Sequence, residues 1–201
     1  MKLESLIALI LVLLTAGMMG VFALPRFARR APALRSIPAI RKLRRAIGLA
    51  VEQGMRLHIS LGKSSITGPD NGSALAALST LEQIARTSSL SDRPPVATSG
   101  DGTLAILSQD TLRAGYRLSH ALDQYDPDRG RMTGPTPMSY IAGALPITSS
   151  EQVSTHMLLG NFGPEVGLIT EAAEQQGAFT LAASDALPAQ AVLYATAEEP
   201  L

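Results

Sequence analysis

Residues 5–24 contain no charged side chain, and Leu, Ile, Val, Ala and Met fill almost every position. Twenty residues rising about 1.5 Å each make a helix of roughly 30 Å, the thickness of a bilayer's hydrocarbon core. A helix satisfies its own backbone N–H and C=O groups, as hydrocarbon requires. Pro25 follows at once. The run is expected to be a single transmembrane helix, with residues 1–25 as an anchor. A chain of 201 residues then has room for one further domain of ordinary size.

The formal net charge of zero hides a segregation. Arg26, Arg29, Arg30, Arg35, Arg41, Lys42, Arg44 and Arg45 place eight cations in residues 26–45, and no acidic residue lies between Glu4 and Glu52. From residue 46 onward eight Lys or Arg face sixteen Asp or Glu, a net charge of −8. Positive charge beside a span stays on the cytoplasmic side. The amino end offers only Lys2 and the terminal amine, offset by Glu4. The expected arrangement is a single-pass protein of the cell membrane, its short amino end outside and its carboxyl-terminal domain cytoplasmic.

The eight cations are expected at the membrane surface, in a juxtamembrane collar over residues 26–54. Within it Ile40, Leu43, Ile47 and Val51 recur at helical spacing between Pro38 and Gly54. A basic amphipathic helix of this kind lies in the headgroup layer, each cation contributing on the order of 1 kcal/mol against anionic lipid. A solvated linker is the other reading. The rival for the apolar run is a signal peptide cleaved near Gly20-Val21-Phe22-Ala23, which would leave a secreted domain. Signal peptides, however, carry their positive charge before the apolar run.

The remainder, residues 55–201, alternates short apolar runs with helical periods. Residues 55–61 suit a strand, and Leu75, Leu78, Leu81 and Ile84 give a helix with one apolar stripe, capped by Asp70 or Ser73. Residues 96–99 form a second strand, turned by Gly100-Asp101-Gly102. Residues 103–125 read as a helix with Leu104, Leu107, Leu118 and Leu122 inward; a hairpin about the Gly-Asp-Gly turn is the alternative. Residues 126–137 read as a loop and 138–145 as a buried strand. Residues 155–159 are a further strand, turning through Gly160-Asn161-Phe162-Gly163-Pro164-Glu165 into a helix that ends at Gln176. Residues 178–183 make the last strand, and Asp185 caps a helix over 186–197. Such alternation predicts an α/β fold, a Rossmann-like, mostly parallel sheet with flanking helices. Leu61-Gly62-Lys63 before Gly68-Pro69-Asp70 and Leu159-Gly160-Asn161 before Gly163-Pro164-Glu165 share a grammar that suggests an internal repeat.

Most catalytic motifs are missing. Gly62-Lys63-Ser64 resembles the tail of a phosphate loop, but the glycine needed five places earlier is Leu57. No G-x-G-x-x-G follows a strand, and Ser99 lacks the G-x-S-x-G elbow. His58, His120 and His156 are scattered, so no metal site is expected, and no cofactor. Cys is absent, which excludes disulfides and thiolate chemistry, and 4% aromatic residues with an acidic body argue against nucleic acid. In open α/β sheets ligands bind beyond the carboxyl ends of the strands. That rule gathers Gly62, Lys63, Ser64, Asp101, Gly102, Asn161, Gly163 and Glu165 as the candidate ligand-binding residues. Ordinary turn geometry explains the same residues.

Three stretches, Arg56-Leu57-His58-Ile59-Ser60-Leu61-Gly62, Asp92-Arg93-Pro94-Pro95-Val96-Ala97-Thr98-Ser99-Gly100-Asp101-Gly102-Thr103-Leu104 and Gly160-Asn161-Phe162-Gly163-Pro164-Glu165, resemble an uncharacterised bacterial membrane-protein family, domain of unknown function 6754. The resemblance covers residues 45–201 and implies no reaction and no catalytic residues. It also implies members that continue into further hydrophobic sequence, so a chain whose last helix is interrupted at Glu198 reads as a short form or a fragment. The functional expectation is a membrane-anchored module binding a small ligand or another membrane protein, with the lipid bilayer as its other partner. A small membrane-bound enzyme working at the strand-end turns is the alternative.

Overall fold

The computed structural model describes residues 3–23, 36–68, 71–89 and 91–201. The chain divides into two compact units, Met1–Ile37 and Pro38–Leu201. The first contains helix α1, Leu3–Ala23, whose described side chains are exposed throughout. Its segment Glu4–Ala23, with mean hydropathy 2.6, is long and apolar enough to cross a bilayer, and a signal sequence passes the same test. The hydroxyl of Thr15 donates to the Leu11 carbonyl at 2.9 Å, so the helix satisfies one of its few polar side chains internally. The expected membrane-surface residues Arg26, Arg29, Arg30 and Arg35 lie outside the described residues.

In the second unit a six-stranded parallel sheet has the order β3-β2-β1-β4-β5-β6. The strands are β1 Arg56–Gly62, β2 Val96–Ser99, β3 Gly130–Met132, β4 Val153–Asn161, β5 Phe179–Ser184 and β6 Glu199–Pro200. The chain starts at the centre, steps outward to β3, crosses back to β4 and steps outward again to β6. That is the doubly wound, Rossmann-like order, in which β1 and β4 flank the topological switch point.

The helices are α2 Pro38–Glu52, α3 Asn71–Ser88, α4 Gly102–Leu118, α5 Pro137–Ser150, α6 Gly167–Gln175 and α7 Leu187–Thr196. One face of the sheet, with Leu57, Ile59, Leu61, Ala97, Met157 and Leu181, packs against α2, α3 and α4. The other, with Leu158 and Ala182, packs against α5, α6 and α7. Helix α2 buries Ala39, Ile47 and Ala50 in the first cluster, and Lys42 is ion-paired with Glu199 of β6. It is thus a packed element of this unit rather than a solvated linker.

Several local expectations are corrected. Residues 138–145 form most of α5 rather than a strand. Thr136 and Ser139 make a reciprocal capping box with Pro137 in the first turn, and Tyr140, Ile141, Ala144, Ile147 and Thr148 then bury one helical face. The hairpin about residues 100–102 does not form, because the Asp101 carboxylate accepts from the Leu104 N–H at 2.9 Å and starts α4. Helix α4 stops at Leu118, leaving Leu118 and Leu122 exposed, while Leu112 and Tyr116 turn inward. In α3 the stripe rotates: Ala74 and Ala77 are buried and Leu75 faces out, since small residues let the helix approach the sheet. Asp70 is outside the described residues, and Ser73 lies inside α3 rather than before it. The expected loop 126–137 contains β3, and the carboxyl terminus contributes β6 instead of interrupting a helix. Asp185 does not cap α7, whose N-cap is Ala186 without a side-chain bond.

Candidate functional site

At the switch point β1 and β4 stay paired to their ends. Gly62 lies opposite Asn161 after a bulge in which Leu159 and Gly160 together face Leu61. The bulge needs glycine twice. Gly160 has φ +150°, and a Cβ there would sit 2.2 Å from the Leu61 carbonyl oxygen; Gly62 has φ +73°, and its Cβ would sit 2.4 Å from the Asn161 oxygen. The two expected repeat units therefore meet side by side at the switch point.

Of the eight candidate ligand residues, five converge there. The Lys63 N–H donates to the Asn161 carbonyl at 2.9 Å, and Lys63 Nζ reaches Glu165 Oε1 at 3.1 Å. The Lys63 stem rests on Gly100, where a Cβ would meet its Cγ at 2.7 Å. Gly163 likewise leaves room for the Glu165 carboxylate. Burial would raise the Glu165 carboxyl, but the Glu165 and Gly163 N–H groups and the Lys63 ammonium prevail and hold it below its ordinary value. The remaining three candidates and the Asn161 side chain have structural partners. Asp101 caps α4 and Gly102 opens it; Asn161 donates through Nδ2 to Asp185 at 2.8 Å; Ser64 accepts from the Ser73 hydroxyl at 3.3 Å. The cation and anion available at the switch point neutralise each other.

A second constellation lies deeper, on the face of the sheet beneath α5. His58 and His156, far apart in sequence, are register partners on β1 and β4, with Nδ1 atoms 3.0 Å apart. They are not scattered, as the sequence spacing had implied. His58 Nε2 lies 2.9 Å from the Thr98 hydroxyl, which lies 3.3 Å from the Tyr140 hydroxyl, and Tyr140 is bonded to Ser60. All five residues are fully buried. A polar row thus crosses β4, β1 and β2 and ends on α5.

Burial keeps both imidazoles neutral. It lowers His156 to about 4, and lowers His58 well below its ordinary value with help from the neighbouring His156 and Arg131. Burial also raises the Tyr140 phenol. Two neutral imidazoles 3.0 Å apart need complementary tautomers. With His156 donating from Nδ1, His58 donates from Nε2 to Thr98, Thr98 to Tyr140 and Tyr140 to Ser60. The remaining atom, His156 Nε2, is buried and has no hydrogen-bond partner among the described residues. This tautomer leaves it a bare lone pair, less costly than an orphaned N–H.

The sequence carried a partial signal for the row: β1 alternates Leu57, His58, Ile59, Ser60, Leu61, which puts both polar residues on one side. Its partners came only from strand register. His120 is exposed at a positive φ of 57° just past α4, apart from the other two. Among the described residues no group of three metal-ligating side chains assembles.

Residues 1–198 match the family described as Domain of unknown function (DUF6754), so the match takes in α1 as well as the sheet and its helices. No curated protein and no solved structure matches the chain.

Proposed function

The chain belongs to the domain of unknown function 6754 family, and we propose that it serves as a membrane-anchored α/β module, an accessory protein that binds a partner or a small polar ligand at the cytoplasmic face. The observation that carries this reading is α1, an exposed apolar helix of bilayer length followed in sequence by eight cations. Lys63 and Glu165 are engaged with each other, and Asp101 is used as a cap. The proposed ligand surface consists of Gly62, Lys63, Ser64, Asp101, Gly102, Asn161, Gly163 and Glu165.

A reporter fused after Leu201 that works only in the cytoplasm, combined with alkaline extraction of membranes, tests the anchor. Reporter activity with the protein retained in the membrane pellet is the expected result. Loss of reporter activity, or a soluble mature chain beginning near Leu24, replaces this reading with the secreted one, which the small residues Gly20 and Ala23 favour. For the ligand surface, alanine at Lys63, Asp101, Asn161 and Glu165 is expected to remove thermal-shift responses to small polar metabolites. Loss of a measured turnover in those variants would make the protein an enzyme instead.

A further inference from the structure

Helix α2 turns its apolar side to the sheet, which leaves its opposite side as a fixed surface of the α/β body. At about 100° per residue, Arg41, Arg44, Arg45, Gly48 and Glu52 fall on that outward side, and all five are exposed. Glu52 stands alone at the carboxyl end of this ridge. Among the described residues Arg41, Arg44 and Arg45 have no acidic side chain within ion-pair distance, whereas Lys42 on the flank is paired with Glu199. Three unpaired guanidiniums on a body, residues 38–201, whose net charge is −4 require explanation. Apolar shoulders flank them, Ile40 at 41% and Leu49 at 44% exposure. Beside Ile40 a groove of 430 Å³ runs between α2 and α3, lined by Leu43, Arg44, Ile47 and Ile84.

We infer that the outward face of α2 docks on an anionic bilayer surface and so sets the orientation of the whole α/β body, with α2–α4 toward the lipid and α5–α7 away from it. The inference rests on the anchor reading and adds to it a fixed pose. Charge selects the occupant: guanidiniums with no protein partner match lipid phosphates, and the apolar shoulders suit the shallow insertion of an interfacial helix. Chain length permits it. Fourteen residues separate Ala23 from Pro38, a contour length of at most about 50 Å. Since α2 is packed through Ala39, Ile47 and Ala50, docking the helix docks the sheet with it.

The absence of cysteine allows single-site labels in the full chain. Gly48→Cys lies on the outward face, with open space where its Cβ would stand, and Met138→Cys lies on exposed α5 across the sheet. Each labelled protein is reconstituted into vesicles of phosphatidylcholine alone or with added phosphatidylglycerol, and quenching by a headgroup-borne quencher is read. The Gly48 label is expected to be quenched several-fold more than the Met138 label on anionic vesicles only, and the difference should collapse in high salt. Each Arg→Gln change at 41, 44 or 45 is expected to lower the docked-to-undocked ratio about fivefold, while Lys at all three sites keeps it. Equal quenching at both positions, in protein that floats with either vesicle, overturns the docked face and leaves the anchor standing. Protein that floats with neither overturns both.

Discussion

The two faces of β1 alternate along a single seven-residue strand, yet they solve burial by different physics. Leu57, Ile59 and Leu61 enter an aliphatic cluster beneath α2, α3 and α4; His58 and Ser60, interleaved with them, are equally buried beneath α5. The aliphatic face asks only that volume be filled. The polar face needs hydrogen-bond partners, and every side-chain N or O of the row has at least one except His156 Nε2. One face is therefore sensitive to size and the other to hydrogen-bonding chemistry and to pH.

The largest effect expected is on the aliphatic side. Ile59→Ala removes a fully buried side chain from the central strand and should cost about 2–5 kcal/mol in a denaturant melt. A loss under about 1 kcal/mol would mean that this face repacks freely and that the contrast is overstated.

Acid should act on the other face. His156 titrates at about 4 in the folded protein against 6.5 ordinarily, so the unfolded chain takes up the proton more readily. Its contribution to stability is complete above pH 6.5 and erodes as the pH falls toward 4, by on the order of 3 kcal/mol. His58 acts in the same direction. Glu165, depressed below its ordinary 4.5, keeps its contribution above that pH and loses it only as the pH falls further. Urea melts between pH 7 and 4.5 should show a slope that vanishes in the His58→Leu, His156→Leu double variant. A slope that survives the change assigns the acid sensitivity to carboxylates.

Tyr140→Phe keeps the ring and deletes the hydroxyl that Thr98 and Ser60 share, for an expected loss of about 1–3 kcal/mol with the core volume unchanged. A neutral result would show that water or rotamer changes satisfy the freed hydroxyls. The smallest effect belongs to the switch point. Glu165→Gln leaves the Lys63 ammonium without its counter-charge but near solvent, so stability should fall by only about 1 kcal/mol while affinity for anions at Lys63 rises. Isothermal titration with inorganic phosphate reads the second change, and an unchanged affinity would remove Lys63 from the candidate ligand surface.

How legible these features were follows their range along the chain. Strand β2 was read at its observed bounds and β1 and β5 within one residue at each end, because alternation or a short apolar run between turn residues is a local property. Helix α5 was misread as a strand because the apolar run 138–145 fits either period, and only the Thr136–Ser139 capping box separates them. Strands β3 and β6, with three and two residues, carry no period at all and exist because β2 and β5 present unpaired edges to them. The convergence of Lys63 with Glu165 followed from the general rule for open sheets, whereas their mutual neutralisation did not. Arg41, Arg44 and Arg45 were visible as charge, but not as the outward side of a packed helix.

Taken alone, the amino-acid order determined what depends on near neighbours: an uncharged helix of bilayer length, cations set against an acidic body, and strand–turn–helix units enough to specify a parallel sheet. The tertiary structure alone decided that β1 and β4 lie side by side and in which register. That register brings two histidines 98 positions apart to within hydrogen-bonding distance. The physical reason is the two-residue period of a strand: sliding one strand by a single residue would turn a buried imidazole to the opposite face, and no local pattern records where a distant partner will stop.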